Sequence, residues 1–525
     1  ASNLIINAPG TLDLNGFSQT TGALFGNGLV DNTAAGGPFT LTVGNNGQSG
    51  AFSGVISNTA GILALTKAGA GTQTLSGTNT YGGITTVSAG TLKLGRSEVL
   101  PNGASASNVN ISVAAARLDL GGFNETINGL TGIANAVLTN STGAATLTVG
   151  DNDMTATYAG LVRDGDGILA LTKIGAGVQT LSGVLSMGGA LSVNAGTLVL
   201  SAANTYTNDT VINGGTLKLG AANVIPDGVG KGSVIVNSPG TLDVNNADVI
   251  NGLSGNGTVD NSSATARILS VGNNNVSSTF SGVIQNTGGA ASLALIKLGT
   301  GTLALMGDST YGGVTLVSNG TLQVNGTLGA GGGLVTVVTN ATLSGTGVIS
   351  RAVTISAGSG GIVGGSISPA GTNVGNLTIN GNFTLTPSTV PAEQPVWNVQ
   401  INDVTNDMLT VDGAFVMGSS GKVTLRIDNA GGAFPNDRTF VLMTWTGANP
   451  AGGVAQFDIV SAHSNWVGGI IAVDTASKRV LLSGVVDRIA NLYSTNVTST
   501  SVDMVGNLVA TGTAPTTVWL FWDTS

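Results

Sequence analysis

The sequence predicts an all-β fold built around a β-solenoid, a chain that coils with strands stacked on strands. Three observations support this prediction: abundant glycine, one long pattern that occurs three times, and short segments that alternate apolar with polar residues. Glycine makes up 83 of the 525 residues, well above the average usage of ~7%. Because interior glycine destabilises a helix by roughly 0.5–1 kcal/mol relative to alanine, helical fold classes are disfavoured. The accompanying valine and threonine favour strands, while glycine and asparagine favour tight turns.

The charge balance excludes several kinds of partner and site. Charged residues are only 8% of the chain, and 17 basic against 26 acidic side chains leave a net charge of −9. We therefore predict no nucleic-acid partner, since such proteins carry basic surfaces. No apolar run reaches the ~18 residues of a spanning helix, so no membrane-spanning segment is predicted. Cysteine is absent, which excludes disulfides and cysteine-based zinc sites, and no cofactor is predicted.

One pattern occurs three times in the same order. It reads LTKAGAGTQTLSG from Leu65, LTKIGAGVQTLSG from Leu171 and LIKLGTGTLALMG from Leu295, so the copies start 171−65 = 106 and 295−171 = 124 residues apart. The landmark GTLDLNG at Gly10 returns at the same two intervals. The second interval is longer because the chain gains about one extra turn near Leu185–Leu200.

A shorter rhythm lies inside each long copy. Segments such as GTLKLG at Gly90–Gly95 and Gly215–Gly220 alternate apolar with polar residues, which places Leu92 and Leu94 on one buried face. Turn residues follow at intervals of roughly 8–12 residues, as in all-β solenoids, sandwiches and barrels. Repetition over so long a stretch favours the solenoid, in which each coil buries its apolar face only by stacking on its neighbours.

The first copy also carries a family resemblance. Residues Leu65–Gly95 read LTKAGAGTQTLSGTNTYGGITTVSAGTLKLG, which resembles the passenger-associated transport repeat of bacterial autotransporters and related surface proteins. The segments that follow Leu171 and Leu295 are similar. The resemblance implies a right-handed parallel β-helix located outside the cell, at the surface of a bacterium or secreted from it. The chain begins at Ala1 rather than methionine, and we expect that a secretory signal preceded it.

The composition changes near residues 386–396. All five tryptophans follow this stretch, and three prolines, Pro387, Pro391 and Pro395, mark it as a domain edge because proline cannot continue a ladder. We predict a solenoid with three long repeats at residues 1–385 and a β-rich C-terminal domain at 386–485. Residues 486–525 are predicted to form tail strands, either an incomplete immunoglobulin- or fibronectin-like module or strands donated to another subunit.

An apolar run near the C-terminal end is the candidate assembly segment. It consists of Val518, Trp519, Leu520, Phe521 and Trp522. These residues are apolar on both faces of a strand and therefore need cover on both sides. Donation of the tail to a neighbouring copy would build a homopolymer by β-augmentation. Packing against the chain's own C-terminal domain is the alternative.

Three polar or aromatic residue types recur once in each long copy. They are Asp13, Asp119 and Asp243; Tyr81, Tyr206 and Tyr311; and Lys67, Lys173 and Lys297. We interpret the aspartates as solvated or turn-stabilising residues. The tyrosines are interpreted as packing groups that cover a coil edge, with an adhesive or stacking role as the alternative. The lysines are interpreted as charged gatekeepers that protect exposed edges from aggregation.

Four aspartates are candidate calcium ligands because they offer oxygen atoms within turns. They are Asp151, Asp153, Asp164 and Asp166. Their spacing matches neither an EF-hand loop nor the glycine-rich nonapeptide repeat. Turns stabilised by the aspartate side chain itself are the preferred interpretation, and no metal is predicted.

These observations lead to a predicted function with two alternatives. We predict a structural extracellular protein, a subunit of a surface fibre or layer that assembles with copies of itself through its ends and tail strands. A monomeric adhesin passenger of the autotransporter type, which contacts host or neighbouring cells, is the first alternative. A carbohydrate-active enzyme is the second. The solenoid section lacks tryptophan and its acids are scattered, whereas such enzymes need grouped carboxylates and aromatic platforms. We therefore predict no enzymatic activity and no catalytic residues.

Overall fold

The computed structural model describes residues 1–289, 292–402, 405–429, 438–453, 456–461, 466–487, 493–495 and 503–505. The candidate assembly segment Val518–Trp522 lies outside these residues. The chain divides into two units, residues 1–293 and 294–525. The one helix among the described residues is a short 3-10 helix at Pro391–Glu393. In this part of the chain, no helix has the length and hydrophobicity needed to cross a membrane.

The described strands of the first unit are short and follow one another at small intervals. They are β1 Leu4–Ile6, β2 Thr11–Asp13, β3 Gln19–Thr20, β4 Leu24–Gly26, β5 Leu29–Asp31, β6 Phe39–Val43, β7 Gly50–Phe52, β8 Val55–Ile56, β9 Leu63–Lys67, β10 Thr72–Leu75, β11 Thr85–Val87, β12 Thr91–Leu94, β13 Val109–Ile111, β14 Arg117–Asp119, β15 Glu125–Ile127, β16 Leu130–Gly132, β17 Val137–Asn140, β18 Ala144–Val149, β19 Ala156–Tyr158, β20 Leu161–Asp164, β21 Ile168–Lys173, β22 Val178–Leu181, β23 Leu185–Ser186, β24 Leu191–Val193, β25 Thr197–Leu200, β26 Thr210–Ile212, β27 Thr216–Leu219, β28 Val234–Val236, β29 Thr241–Asp243, β30 Asp248–Ile250, β31 Leu253–Gly255, β32 Thr258–Asp260, β33 Arg267–Val271, β34 Ser278–Phe280 and β35 Val283–Ile284.

The described strands of the second unit become longer toward its C-terminal part. They are β36 Leu293–Lys297, which begins at the division between the units, β37 Thr302–Leu305, β38 Asp308–Ser309, β39 Thr315–Val317, β40 Gly320–Val324, β41 Thr327–Leu328, β42 Val335–Val337, β43 Ala341–Gly345, β44 Val348–Ile349, β45 Val353–Ile355, β46 Ser366–Pro369, β47 Asn376–Ile379, β48 Phe383–Leu385, β49 Val396–Ile401, β50 Met408–Val411, β51 Phe415–Met417, β52 Val423–Asn429, β53 Phe440–Trp445, β54 Phe457–Ser461, β55 Trp466–Asp474, β56 Arg479–Asp487, β57 Tyr493–Thr495 and β58 Asp503–Val505.

The first unit is a parallel β-solenoid with three faces. Strands β1, β4 and β7 pair on the first face, β2, β5 and β8 on the second, and β3, β6 and β9 on the third. All of these pairings are parallel. Because consecutive strands lie on successive faces, the chain winds in coils, and each coil pairs with the coils before and after it. The predicted all-β solenoid is confirmed.

The core of the solenoid consists of the inward-facing residue of each alternating pair. Leu92 and Leu94 of β12 are fully buried, as the alternation predicts. Leu75 of β10 is the in-register partner of Leu94, so leucine stacks on leucine from coil to coil. Burying one such side chain stabilises the fold by about 1.5–3 kcal/mol, and the contribution recurs at every coil.

Glycine lies where the backbones of successive coils approach most closely. A Cβ atom added to Gly54 would lie 1.9 Å from the carbonyl oxygen of Gly28, and one added to Gly77 would lie 1.8 Å from that of Gly54. No side chain fits at such distances, so the corner accepts only glycine. Stacked corners of this kind explain part of the high glycine content of the chain.

Equivalent strands of the first two long copies lie on different faces. Strand β9 of the first copy pairs with β6 and β11 on the third face. Its equivalent β21 pairs with β18 and β24. Each of these three strands follows a first-face strand along the chain, as β2, β5 and β8 do, so β21 lies on the second face. The repeat of 106 residues therefore does not contain a whole number of coils. Strands β24 and β25 form the extra turn that the sequence places near Leu185–Leu200.

The second unit also contains parallel ladders and ends in antiparallel strands. Two parallel ladders include strands from before and after residues 386–396. One consists of β46, β49, β52 and β54, and the other of β47, β50 and β53. The loop at residues 386–396 contains the 3-10 helix. Strand β56 then pairs antiparallel with β53 and β55. Phe415 packs between Phe383 and Trp445, with ring centroids 6.0 and 5.6 Å apart. The predicted β-rich C-terminal region is confirmed.

Candidate functional site

The lysine of the first copy is buried, so its predicted role as an exposed gatekeeper is wrong. Lys67 is 0% exposed. Its Nζ atom donates hydrogen bonds to the carbonyl oxygens of Ala68 (2.7 Å), Gly69 (2.7 Å) and Ala89 (3.0 Å). Ala89 follows β11 in the next coil, so the ammonium group joins the corners of two successive coils. Burial lowers the pKa of Lys67 to about 8, because the charged form loses hydration.

The lysines of the other two copies are buried in the same way. Their acceptors are the carbonyl oxygens of Ile174, Gly175 and Ala195 for Lys173, and those of Leu298, Gly299 and Asn319 for Lys297. A sequence signal for this burial exists, since the alternation of β9 places Lys67 in phase with the inward-facing Leu63 and Leu65. An inward lysine without a carboxylate partner is satisfied only when backbone carbonyl oxygens surround it.

An asparagine side chain takes the place of a strand in the first copy. Strand β10 on the first face is followed directly by β11 on the third, without a strand on the second face. Asn79 lies there, and its Oδ1 accepts a hydrogen bond from the Ile56 amide (2.8 Å). Its Nδ2 donates to the carbonyl oxygen of Val99 (2.8 Å). The side-chain amide therefore bridges the preceding and following coils, as a strand would.

The second copy repeats this arrangement on another face. Asn204 Oδ1 accepts a hydrogen bond from the amide of Leu185 (2.9 Å), and its Nδ2 donates to the carbonyl oxygen of Val224 (2.8 Å). Leu185 belongs to β23, which lies on the first face. Residues 79–81 and 204–206, which both read NTY, therefore each contribute a side chain that takes the place of a strand.

The recurring tyrosines are core residues, which confirms their interpretation as packing groups. Tyr81, Tyr206 and Tyr311 are at most 1% exposed. Each phenol oxygen lies 2.6–2.7 Å from the hydroxyl oxygen of a threonine four residues later. The hydroxyl pair satisfies both polar groups inside the core, as burial requires. A direct adhesive role of these three rings is excluded because no ligand can reach them.

Buried carboxylates form a second set of internal polar groups, which the sequence reasoning missed. Glu125 is 1% exposed and accepts hydrogen bonds from the amides of Val99 (2.9 Å) and Leu100 (2.5 Å). Asp248 likewise accepts hydrogen bonds from two backbone amides, and so does Asp407. Burial raises the pKa of Glu125 to about 8 and that of Asp248 and Asp407 to about 7.

A buried arginine lies beside the tyrosine of the third copy. The guanidinium carbon of Arg351 lies 4.2 Å from the ring centroid of Tyr311, a cation–π contact. Arg351 donates hydrogen bonds to the carbonyl oxygens of Tyr311, Gly313 and Gly329. As with Lys67, backbone carbonyl oxygens satisfy a buried cation. Neither the Arg351 guanidinium group nor the Tyr311 ring is available to a ligand.

The recurring aspartates stabilise turns, as one of their two interpretations predicts. Asp119 Oδ1 accepts hydrogen bonds from the amides of Gly121 (3.0 Å) and Ser141 (2.9 Å). Asp243 accepts hydrogen bonds from the amide and hydroxyl of Ser262 in the next coil. Asp119 and Asp243 are 5% exposed, so the interpretation of these two as solvated residues is wrong.

The four calcium candidates are not gathered into one cluster of carboxylates in the part of the chain that the structure describes. Asp153 accepts a hydrogen bond from the amide of Ala176. Asp164 accepts hydrogen bonds from the amides of Leu169 and Gly188 (2.7 and 2.8 Å). No group of three or more histidine, cysteine, aspartate or glutamate side chains is placed to hold a metal ion in the searched residues. Asp151 and Asp166 join no such group.

A polar cleft of about 430 Å³ lies on the outer surface of the first unit, across β10, β12, β14 and β17. Lys93 Nζ donates a hydrogen bond to Ser141 Oγ (2.9 Å) and lies 3.7 Å from Asp119 Oδ2. Arg117 and Asp166 also line the cleft, and both are exposed. The cleft therefore combines basic, acidic and hydroxyl side chains at the surface of the unit.

Comparison with known proteins identifies the repeat. A family model of the passenger-associated transport repeat matches residues 65–94, 171–200, 195–219 and 295–324. The first match spans β9 to β12 and contains the buried Lys67, Asn79 and Tyr81. The overlapping second and third matches span the extra turn of the second copy. Three residues that recur in the matched segments, at Lys67, Asn79 and Tyr81, therefore lie in the interior of the coils.

A curated relative points in the same direction. The adhesin BmaC autotransporter of Brucella suis biovar 1 (strain 1330) is 29% identical to this chain over 337 residues. The match covers 60% of this chain and 9% of the relative, so the chain spans less than a tenth of the relative's length. The chain thus carries four matches to the transport repeat on a parallel β-solenoid, and over 337 residues it is similar to an autotransporter.

Proposed function

We propose that this chain is part of an adhesin-type passenger, located at the cell surface of a bacterium or secreted from it. The carrying observation is the match of the transport repeat to four segments of the parallel β-strand ladders. The relative from Brucella suis, named as an adhesin, supports the same role. In this proposal the solenoid is a stiff support, because continuous backbone ladders resist bending, and the outer faces contact host or neighbouring cells.

The interior location of the repeat residues limits where binding occurs. Lys67, Asn79 and Tyr81 are buried, so contacts with another surface come from outward-facing residues that differ between copies. Equivalent strands of the first two copies also lie on different faces, so these copies do not line up equivalent residues in one row. Individual surface features, such as the cleft that contains Lys93 and Arg117, are therefore the candidate contact sites.

The proposed role includes no catalytic activity. The carboxyl groups with raised pKa values, which in a cleft would be candidates for acid–base catalysis, are Glu125, Asp248 and Asp407. Each of them is buried and accepts two backbone hydrogen bonds. These contacts explain them as structural groups that hold the corners of coils.

Binding of the purified chain to cultured host cells tests the adhesive role. We expect saturable binding of the folded chain that is lost after heat unfolding. The substitution Arg117→Gln, in the charged cleft, is expected to weaken binding several-fold if that cleft is the contact site. Arg96→Gln is the matched control, since Arg96 is exposed and does not line the cleft. Absence of saturable binding to host cells and to bacteria would contradict the proposal.

A subunit role in a surface fibre or layer is the second proposal. Among the described residues, β55 is the last strand of its sheet and pairs only with β56, and an outer strand of this kind can accept a strand from another copy. In this proposal, Val518–Trp522 form a strand that is donated to another copy, and residues 386–485 cover the end of the solenoid. Electron microscopy of the purified chain decides it, since regular polymers support the fibre and isolated particles contradict it.

A further inference from the structure

Asn–Gly pairs are frequent in this chain, and the structure describes all eleven of them. They begin at Asn15, Asn27, Asn46, Asn102, Asn128, Asn213, Asn251, Asn256, Asn319, Asn325 and Asn380. In such a pair the backbone nitrogen of glycine can attack the side-chain carbonyl carbon of asparagine, because glycine has no Cβ atom to hinder the approach. The attacking nitrogen must first lose its hydrogen, so a hydrogen bond that holds this N–H group opposes the reaction.

The glycine amide donates a hydrogen bond in ten of the eleven pairs. The donors are Gly16, Gly28, Gly47, Gly103, Gly129, Gly214, Gly252, Gly257, Gly320 and Gly326. Most of the acceptors lie in a neighbouring coil. The amides of Gly28 and Gly257, for example, donate to the carbonyl oxygens of Ile6 and Val236, both at 2.8 Å. The stacking of coils therefore protects most of these pairs.

The pair Asn380–Gly381 is the exception. The amide of Gly381 donates no hydrogen bond within the part of the chain that the structure describes. The two residues lie in the bend between β47 and β48, outside the strand ladders. Asn380 is exposed, and its Nδ2 atom donates a long hydrogen bond to Ser350 Oγ (3.3 Å). The attacking amide is therefore free, and the side chain that it would attack is open to solvent.

We propose that Asn380 is a site of spontaneous deamidation, with water as the second reactant. The nitrogen of Gly381 loses its proton to solvent and forms a bond to Asn380 Cγ. The bond between Cγ and Nδ2 breaks, and the amide nitrogen leaves as ammonia after taking a proton from solvent, which gives a cyclic imide. Water then adds at Cγ to give aspartate, or at the main-chain carbonyl carbon to give isoaspartate. Both products carry a carboxylate in place of the amide, and no oxidant or reductant takes part.

The isoaspartate product changes the contact between neighbouring coils, because its backbone runs through the former side chain and is one atom longer. Gly381 lies close against the preceding coil, since an added Cβ atom would lie 2.6 Å from the carbonyl carbon of Arg351. The next residue, Asn382, accepts hydrogen bonds from the amides of Val353 (2.9 Å) and Ala414 (3.0 Å). A longer backbone at this contact displaces Asn382, so we expect both bonds to weaken.

Incubation of the purified chain at mildly alkaline pH, followed by peptide mass spectrometry, tests the proposal. We expect Asn380 to deamidate at least tenfold faster than Asn27 and Asn256, because their glycine amides react only after a hydrogen bond is broken. These two are internal controls, since both asparagines are exposed and their glycine amides are bonded. In a chain unfolded by urea, the three rates should become similar, because the protecting bonds are absent.

Two variants extend the test to the consequence for packing. Asn380→Gln is expected to remove the fast reaction, because its longer side chain closes a ring less readily. Asn373→Gln is the matched control, since Asn373 is exposed and precedes valine. After incubation, hydrogen exchange at the Val353 amide should be faster in the wild type and in Asn373→Gln than in Asn380→Gln.

Two outcomes would overturn the proposal. One is a rate at Asn380 no higher than at Asn27 and Asn256 in the folded chain. The other is a rate ratio that stays the same in urea, since the local sequence rather than the free Gly381 amide would then set it. Failure of cell adhesion would leave the proposal intact, because deamidation is measured on the chain alone.

Discussion

Replacing Asn79 by leucine tests whether a side-chain amide takes the place of a strand in the first long copy. The substitution keeps the branching of the side chain at Cγ and removes the bonds to the Ile56 amide and the Val99 carbonyl oxygen, both 2.8 Å long, and a longer bond to the Gly77 carbonyl oxygen (3.2 Å). Each buried group left unpaired costs about 1–3 kcal/mol. The Val99 carbonyl oxygen keeps a long hydrogen bond from the Asn79 backbone amide (3.4 Å). We therefore expect the substitution to lower the stability of this region by about 3 kcal/mol in total.

Hydrogen exchange at the Ile56 amide is the most direct assay of this loss. A change of about 3 kcal/mol corresponds to roughly hundredfold faster exchange, since about 1.4 kcal/mol is a factor of ten. Asn208→Leu is the matched control, because Asn208 is exposed and, among the described residues, its side chain bonds to the neighbouring Asp209 amide alone. Unchanged protection of Ile56 in the Asn79→Leu chain, or equal effects of the two substitutions, would refute the strand-replacement argument.

Two further predictions concern the buried ionisable groups. Lys67→Met removes the donor shared by three carbonyl oxygens and is expected to lower the free energy of unfolding by roughly 1–2 kcal/mol. The control is Lys218→Met, since the Lys218 side chain is 36% exposed and Asp243, its ion-pair partner, keeps its hydrogen bonds to Ser262; it should cost less than about 0.5 kcal/mol. Equal effects of the two substitutions in denaturant titrations would contradict this prediction. Burial raises the pKa of Glu125 to about 8 and that of Asp248 and Asp407 to about 7, so between about pH 5 and pH 8 the native state holds protons that the unfolded chain has released. Stability is therefore expected to fall as pH rises through this window, by at most about 1.4 kcal/mol per unit and carboxyl group, and a thermal midpoint that stays constant or rises would contradict it.

Strand positions and core residues were predictable because a strand has a period of two. The alternation in GTLKLG identifies Leu92 and Leu94 as core residues, and both are buried. The same rule, applied to polar residues, identifies the internal polar groups that the sequence reasoning missed or misplaced. Lys67 is in phase with Leu65, and Glu125 is in phase with Ile127. Charge was read as a sign of exposure, although the strand phase indicated burial.

The partners of these groups were not predictable from the pattern. Asn79 bonds to Ile56, 23 residues earlier, and to Val99, 20 residues later, because the coils on either side place those residues above and below it. Gln394 bonds to Asp458, 64 residues away. Such pairs depend on how many residues each coil contains, and that number changes wherever a turn replaces a strand.

By itself, the sequence determined the fold class, the long repeats with their extra turn and the inward-facing apolar residues. These features follow from local preferences of glycine, valine and threonine and from alternation along single strands. Only the tertiary structure decided which face each copy occupies, which carbonyl oxygens surround Lys67, and which backbone amides donate to Glu125. Those outcomes depend on the stacking of coils, since a side chain's surroundings in a solenoid come from the coils before and after it rather than from its neighbours in sequence.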